Sequence, residues 1–369
     1  MTLESKDNLP LVSIIVPVFN GEKYLRESLD SIVVQTYPHL EIFVMDDAST
    51  DSTPDIIASY GNKVRHIRQP QNRGIYSNAN DGIALAHGEY IAVYHADDVY
   101  DPRIVEREVY YLERHKEVGA VFCKDIFVDG ENKEYGRLQL QPEVRGNRPL
   151  DYSTVFNALL EYKNRMFVCP TAMVRASVHR DVGVYRQEQF FNTSDLEMWL
   201  RIAQKRPLAI LEEYLLRYRH FEGQSSRRYH KLRTDPERYF TIIDLYLANG
   251  SADVATPKAL AAFEGHRVED FLMIAVNHYI LSQLDQAKTT LSKIKVSKLL
   301  KGRRIQRGRM LILFLMLQFL VRLPRIRLFA NLFFQRWHVK GKRKDSFALS
   351  RMIFGDEWLG QNEGERLQS

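Results

Sequence analysis

Two places in the chain set carboxylates side by side at the end of an apolar run. Tyr90-Ile91-Ala92-Val93-Tyr94 leads through His95 and Ala96 into Asp97-Asp98, and Glu41-Ile42-Phe43-Val44-Met45 leads into Asp46-Asp47-Ala48-Ser49-Thr50-Asp51. Adjacent carboxylates repel, and a site that keeps both ionised usually holds a cation against them. Hard divalent ions such as Mg²⁺ and Mn²⁺ take oxygen ligands of this kind, often one or two carboxylates together with substrate phosphates. Taken alone, an Asp-Asp pair is more often an ordinary solvated turn, and Asp46 and Asp51 are also well placed to cap a helix. A third acidic stretch, Ser194-Asp195-Leu196-Glu197, opens an apolar helical face of Leu196, Trp199, Leu200 and Ala203, with Ser194 reading as its N-cap.

An alternation of strands and helices must position these groups. Leu11 to Asn20 reads as a fully buried strand, broken at Pro17 and ending in a loop at Asn20-Gly21. Leu25, Leu29, Ile32 and Val33 then recur at helical spacing. After the strand at 41–45, Ser52-Thr53-Pro54 opens another helix, Val64 to Ile67 gives a third strand, and a helix over 76–86 follows the loop Asn72-Arg73-Gly74. The strand at 90–94 is the fourth, and Asp101-Pro102 starts a helix reaching about His115. This pattern predicts an α/β, Rossmann-like, mostly parallel sheet flanked by helices and joined by right-handed crossovers. Parallel order gathers Phe19-Asn20, Asp46-Asp47 and Asp97-Asp98 along one sheet edge, where open α/β sheets bind ligands. Further on, Val118 to Cys123 reads as a strand, Asp129 to Asn132 as a hairpin turn, Leu138 to Leu150 as an unpatterned mobile loop, and Met166 to Arg175 as a second apolar strand region.

The order and spacing of Pro17-Val18-Phe19-Asn20, Met45-Asp46-Asp47-Ala48-Ser49-Thr50-Asp51, Asn72-Arg73-Gly74 with Asn78 to Gly82, Ala86 to Ile91, and Ala96-Asp97-Asp98 resemble those of the family-2 inverting glycosyltransferases of the GT-A fold. The resemblance is strong over about the first hundred residues, looser from Val118 to about Ser226, and does not extend beyond. It implies a nucleotide-sugar site with Pro17 and Asn20 in its wall, Phe19 against the base and Asp47 accepting from a uracil-like N–H. It also implies Asp97 near ribose and metal, Asp98 coordinating Mn²⁺ or Mg²⁺ on the diphosphate, and Arg73 neutralising phosphate charge. Asp195 matches the family's general base, ahead of Glu197. Tyr214 to Ser226 resembles the segment that closes the catalytic domain, where His220 is a candidate to complete the metal shell or touch diphosphate, although a lone His beside arginines is more often plain polar surface. The expected reaction is a single displacement in which Asp195 removes the acceptor proton, the metal-bound diphosphate leaves and configuration inverts. A protein of the same fold that binds nucleotide sugar without turnover, or serves as a membrane scaffold, is the competing class. A nucleotidyltransferase would want a Gly-rich phosphate loop after the first strand, where this chain has Phe19-Asn20-Gly21.

The expected organisation is a tail over 1–10 and a GT-A domain over 11–230, with a nucleotide-sugar half at 11–116 and an acceptor half at 117–230. A helical region over 231–344 and a polar tail over 345–369 follow. The 369 residues are 45% hydrophobic, enough for a full core. Cys123 and Cys169 have no metal spacing and point to a reducing compartment. Met1 to Asp7 lacks the regions of a signal peptide, so a cytoplasmic location is expected. The formal charge of +6 is uneven: residues 295–344 hold 15 Lys or Arg and no Asp or Glu, leaving 37 basic against 46 acidic residues elsewhere. Within that segment Met310 to Val321 is the most apolar run, short of the ~20 residues of a spanning helix. Basic residues with interleaved Phe329, Phe333, Phe334 and Trp337 suit the interface of an anionic membrane, and suit nucleic acid less. A buried helix with solvated basic ends satisfies the same pattern. The expected acceptor is a glycan, soluble or lipid-linked, and on the membrane reading the protein is expected to lie peripherally on the cytoplasmic face.

Overall fold

β1 (Val12–Val18) is buried at every residue and lies between β2 (Leu40–Asp46) and β4 (Tyr90–Val93), both parallel to it. A proline in such a central strand normally forfeits a ladder bond. Here Ile15 O, on the β4 side, accepts from Tyr94 N, and the β4 pairing stops at Ile15, so the missing N–H of Pro17 points where the ladder has already ended. The expected break at Pro17 is therefore absent, and Pro17 pairs in register with Met45.

The structure, a computed structural model, describes residues 9–221, 232–299 and 304–322. They fall into two units, one running to Leu159 and resuming over Lys163–Phe221, the other comprising Leu160–Tyr162 and the chain from Glu222 onward. The first unit is a mixed α/β fold. After β1 come α1 (Leu25–Val33), β2, α2 (Thr53–Ala58), β3 (Arg65–Arg68), α3 (Ile75–Leu85), β4, the short β5 (Val99–Tyr100) and α4 (Ile104–Arg114). Then follow β6 (Ala120–Val128), β7 (Glu134–Arg137), α5 (Tyr152–Tyr162), β8 (Met173–Arg175), α6 (Ala176–Val182), α7 (Gln187–Phe190), α8 (Ser194–Ala203) and β9 (Leu208–Arg219). The sheet order is β3-β2-β1-β4-β8-β6-β9-β5, with β7 on β6. The first four strands are parallel as expected. Beyond β4 only β6 and β9 pair in parallel, so the sheet as a whole is mixed. Its core draws Val12, Ile14 and Val16 of β1, Leu25, Leu29 and Ile32 of α1, and Val105, Val109 and Leu112 of α4 into one cluster.

Two local expectations are corrected. The segment 138–150 is held in place: Leu138, Leu140, Val144 and Leu150 are buried, Leu150 exchanges backbone bonds with Leu208, and Asn147 Oδ1 accepts from Glu212 N at 2.7 Å. Its scattered apolar residues are spaced for an irregular coil over the sheet, which no period reveals. Ser194 is the first residue of α8 instead of its cap. The preceding residues already coil into a short 3₁₀ turn, so its hydroxyl donates back to Phe191 O at 2.6 Å.

Within the second unit, Pro257–Ile280 and Leu284–Ser292 form a helical hairpin, the former opened by Thr256, whose hydroxyl accepts from Ala259 N. Leu272, Val276 and Tyr279 from the long helix, Ala287 and Leu291 from the short one, and Leu313, Phe314 and Leu317 of the helix Arg304–Leu320 share one core. The last helix divides its apolar run between two faces, because Ile312, Leu315 and Phe319 are 67%, 57% and 59% exposed. Among the described residues, no helix is long and apolar enough to cross a membrane. The expectations for residues 1–8, 222–231, 300–303 and 323–369 lie outside the described residues.

Candidate active site

The loops after β1 and β2 are stitched together. Asn20 N donates to Ser49 Oγ at 2.9 Å, Thr50 N to Asn20 Oδ1 at 2.8 Å, Gly21 N to Thr53 Oγ1 at 2.8 Å and Glu22 N to Asp51 Oδ2 at 3.1 Å. Asn20 and Ala48 both take positive φ, 50° and 62°, a conformation that costs a non-glycine residue about 1 kcal/mol or more. Asp46 is fully buried and structural: Arg68 pairs with it at 2.8 Å, and Ser49 N donates to it at 2.8 Å. Phe19 projects from this edge, 49% exposed.

Asp47 is also buried, and its two oxygens accept from Arg73 N at 2.9 Å and Gly74 N at 2.8 Å. Each oxygen keeps a further lone pair for another donor. Gly74 has φ 88° and opens α3; a side chain there would strike Gln187. Gln187 reaches in to cap the helix, its Oε1 accepting from Tyr76 N at 2.7 Å and Ser77 N at 3.0 Å while Nε2 donates to Arg73 O. The Arg73 guanidinium pairs with Asp81 at 2.6 Å, both partly exposed.

The acidic turn after β4 gathers His95, Asp97 and Asp98, whose ligand atoms lie within 4.8 Å of one another. Asp98 is fully buried; its Oδ1 accepts from Arg219 N at 2.8 Å, while its Oδ2 has no hydrogen-bond partner among the described residues. His95 Nε2 is likewise buried and unpartnered among them. His95 is seated by its backbone, with N donating to the Tyr100 hydroxyl at 2.6 Å and O accepting from Ser28 Oγ at 3.1 Å. Burial lowers its imidazole to about 4, which keeps the ring neutral and able to ligate. Burial also raises the Asp97 carboxyl to about 6, and burial with the neighbouring Asp97 charge raises Asp98 well above the usual range. Two desolvated carboxylates and a neutral imidazole with unused lone pairs are a donor set that fits a hard divalent ion. His220, the expected imidazole, is not in this cluster: its Nδ1 is bonded to the Tyr135 hydroxyl and its ring stacks on Phe127. Arg219 ties the turn down from β9. Its buried guanidinium donates to Asp97 O at 2.8 Å and pairs with Glu27 at 2.6 Å.

Asp195, in the first turn of α8, is close enough to Tyr76, Cys169 and Tyr185 for their charges to act on one another. Burial raises its carboxyl from 3.8 to about 6, and a hydrogen bond from the Tyr76 hydroxyl opposes the shift. A base with that value is ionised at neutral pH yet able to take a proton. Glu197 faces the other way, buried between Arg201 at 2.8 Å and Arg186 at 3.1 Å, which makes it a structural ion pair. His95, Tyr76, Gln187 and Arg219 are the site residues that sequence reasoning passed over. His95 alone carried a signal, two residues before an acidic pair.

Residues 13–183 match the family model for glycosyl transferase family 2. The chain is 28% identical over 300 residues to an uncharacterized glycosyltransferase of Haemophilus influenzae, spanning 80% of this chain and 90% of that one. Over 218 residues it is 30% identical to one of Methanocaldococcus jannaschii, spanning 57% of this chain and 71% of the relative. A Rickettsia felis relative, 30% identical over 228 residues, is longer, and the match spans 36% of it. Among solved structures, Staphylococcus aureus TarS residues 1–349, in complex with UDP-GlcNAc, superposes with a TM-score of 0.53 at 18% identity, covering 84% of this chain and 90% of that one. At that identity the likeness is one of fold, and the fold is GT-A.

Proposed function

The chain belongs to glycosyl transferase family 2, and we propose that it moves a sugar from a nucleoside-diphosphate donor to an acceptor hydroxyl with inversion at the anomeric carbon. The observation that carries the reading is one acidic turn in which Asp98 Oδ2 and His95 Nε2 are buried and have no hydrogen-bond partner among the described residues. They and Asp97 would hold Mn²⁺ or Mg²⁺. When bound, that ion supplies positive charge against the departing diphosphate. A UDP-linked donor is favoured by the UDP-GlcNAc held by TarS and by Asp47, which keeps lone pairs for a base N–H. Phe19 offers an exposed ring for the base, with Pro17 and Asn20 shaping the loop beneath it. Arg73 gives up little to bind phosphate, since a partly exposed ion pair such as that with Asp81 is worth about 1 kcal/mol at most. Asp195 accepts the proton of the attacking hydroxyl, and Tyr76 orients it.

The acceptor is proposed to be a glycan or lipid-linked glycan in cell-surface polysaccharide or glycolipid synthesis, met by a protein lying on the cytoplasmic face of an anionic membrane. The exposed Ile312, Leu315 and Phe319, within a segment holding 15 basic and no acidic residues, support that placement. Mass spectrometry of products after incubation with Mn²⁺, a panel of UDP-, dTDP- and GDP-sugars, and soluble and lipid-linked glycan acceptors tests the transfer, and proton NMR of the product reads its anomeric configuration. Transfer with inversion is expected, and Asp98→Ala should abolish it. Full activity in that variant removes the metal assignment, and no transfer from any donor removes the reading.

A further inference from the structure

One buried acid beside the site has no structural partner. Asp125 on β6 is 1% exposed, and neither of its carboxylate oxygens has a hydrogen-bond partner among the described residues. Buried polar groups in folded chains are almost always satisfied, so an orphaned carboxyl calls for a ligand or water. Asp125 is not a member of the His95, Asp97 and Asp98 cluster, yet it lies near enough for its charge to act on Asp98. Alternate residues share a strand face, which puts Phe127 on the side of Asp125, and the parallel register sets Tyr218 of β9 beside Phe127. His220 stacks on Phe127 at 5.6 Å and 21°, and Tyr218 meets His220 edge-on at 4.9 Å and 87°. These three rings are half-buried. Tyr218 lies within reach of the charges of Asp98, Asp97, Asp125 and Asp195.

A pyranose presents C–H groups on the faces of its ring and hydroxyl donors around its rim. Aromatic rings take the first and an unpartnered carboxylate takes the second. We propose that Asp125, Phe127 and Tyr218 form a subsite for the terminal pyranose of the acceptor, with Asp125 accepting a hydrogen bond from a ring hydroxyl and the rings packing against its C–H face. The proposal rests on the sugar-transfer reading. It assigns the acceptor and not the donor sugar because β6 and β9 lie on the opposite side of β4 from β1, β2 and β3, whose loops carry Phe19, Asp47 and Arg73.

Saturation-transfer NMR of the full chain with UDP and Mg²⁺, titrated with methyl glycosides of glucose, galactose, mannose and N-acetylglucosamine, tests the subsite, with UDP affinity read by calorimetry. At least one glycoside should bind through its C–H protons. Asp125→Ala and Phe127→Ala should each weaken it about tenfold, the scale of one lost hydrogen bond or ring contact, with UDP affinity unchanged. Retained UDP binding also shows that a variant is folded, and if Asp125→Ala does not fold, Phe127→Ala carries the test. Equal glycoside binding in the folded variants, no glycoside bound by a wild type that binds UDP, or a selective loss of UDP–Mg²⁺ affinity in Asp125→Ala would each overturn the proposal. A wild type that binds no nucleotide counts instead against the sugar-transfer reading.

Discussion

Asp195→Asn should make the protein more stable and nearly inactive at once. In the folded chain burial raises the carboxyl from 3.8 to about 6, so its ionised form is disfavoured there relative to the unfolded chain. Each pH unit in that interval is worth about 1.4 kcal/mol, which sets the penalty at about 3 kcal/mol at most, less whatever solvent the partly accessible side chain retains. The sign follows from proton counting. Between pH 4 and 6 the folded state binds more protons than the unfolded one, so stability falls as pH rises through this window and the full penalty stands above about 6. Asparagine never ionises and still offers an oxygen to the Tyr76 hydroxyl. The variant should therefore melt higher than wild type at pH 8, by up to about 10 °C for a domain of this size, with the difference shrinking toward pH 4. Turnover should fall about 10²- to 10⁴-fold, as for loss of a positioned base. Thermal unfolding at pH 4, 6 and 8, paired with initial rates of nucleotide release, reads both. Lost turnover without stabilisation at pH 8 would show that the carboxylate is not desolvated, and stabilisation with normal turnover would show that it is not the base.

Mn²⁺ should raise the melting temperature of the wild type, by about 2.7 kcal/mol of stability at a hundredfold excess over its dissociation constant. Asp98→Ala should lose that gain, each protein being compared with its own metal-free form because the variant also takes away the acceptor of Arg219 N; an undiminished Mn²⁺ shift would place the ion elsewhere. Gln187→Ala should destabilise by about 1–3 kcal/mol in urea titrations, because the N–H groups of Tyr76 and Ser77 lose their acceptor, and should weaken UDP binding through the Arg73 loop. Wild-type UDP affinity in that variant would show that the loop stands without it. The full chain should sediment with phosphatidylserine-containing vesicles and come off as salt rises, less so at the start for Leu315→Asp with Phe319→Asp; retention independent of salt, lipid charge and these substitutions would refute membrane docking.

What could be read in the sequence is what the chain decides locally. β1, β2 and β4 announce themselves as short β-branched runs, and their parallel order brings Phe19, Asp47 and Asp97-Asp98 to one edge before any contact is known. What could not be read is set by residues distant in sequence. Gln187 caps a helix that begins more than a hundred residues earlier, and Arg219 fixes the acidic turn from the last strand. His95 stood in the motif itself, but its standing as a neutral, unpartnered imidazole depends on Tyr100, Ser28 and the depth of the turn. Ser194 failed as a cap because the backbone before it was already coiled, and Asp125 sits in a strand pattern that marks it as nothing more than an interruption.

The cross-bonded loops after β1 and β2 have a thermodynamic consequence for whatever binds over them. Ordering a free loop residue costs about 1–2 kcal/mol of conformational entropy, and a flexible pocket would lose that on every binding event. Here Asn20, Gly21 and Glu22 are each held by a side chain of the neighbouring loop, so the two loops move as one body. A nucleotide docking against Phe19 and Asp47 meets a surface already rigid, and its binding heat should be little offset by ordering of this edge. Whatever rearrangement accompanies sugar transfer must then be sought elsewhere in the chain.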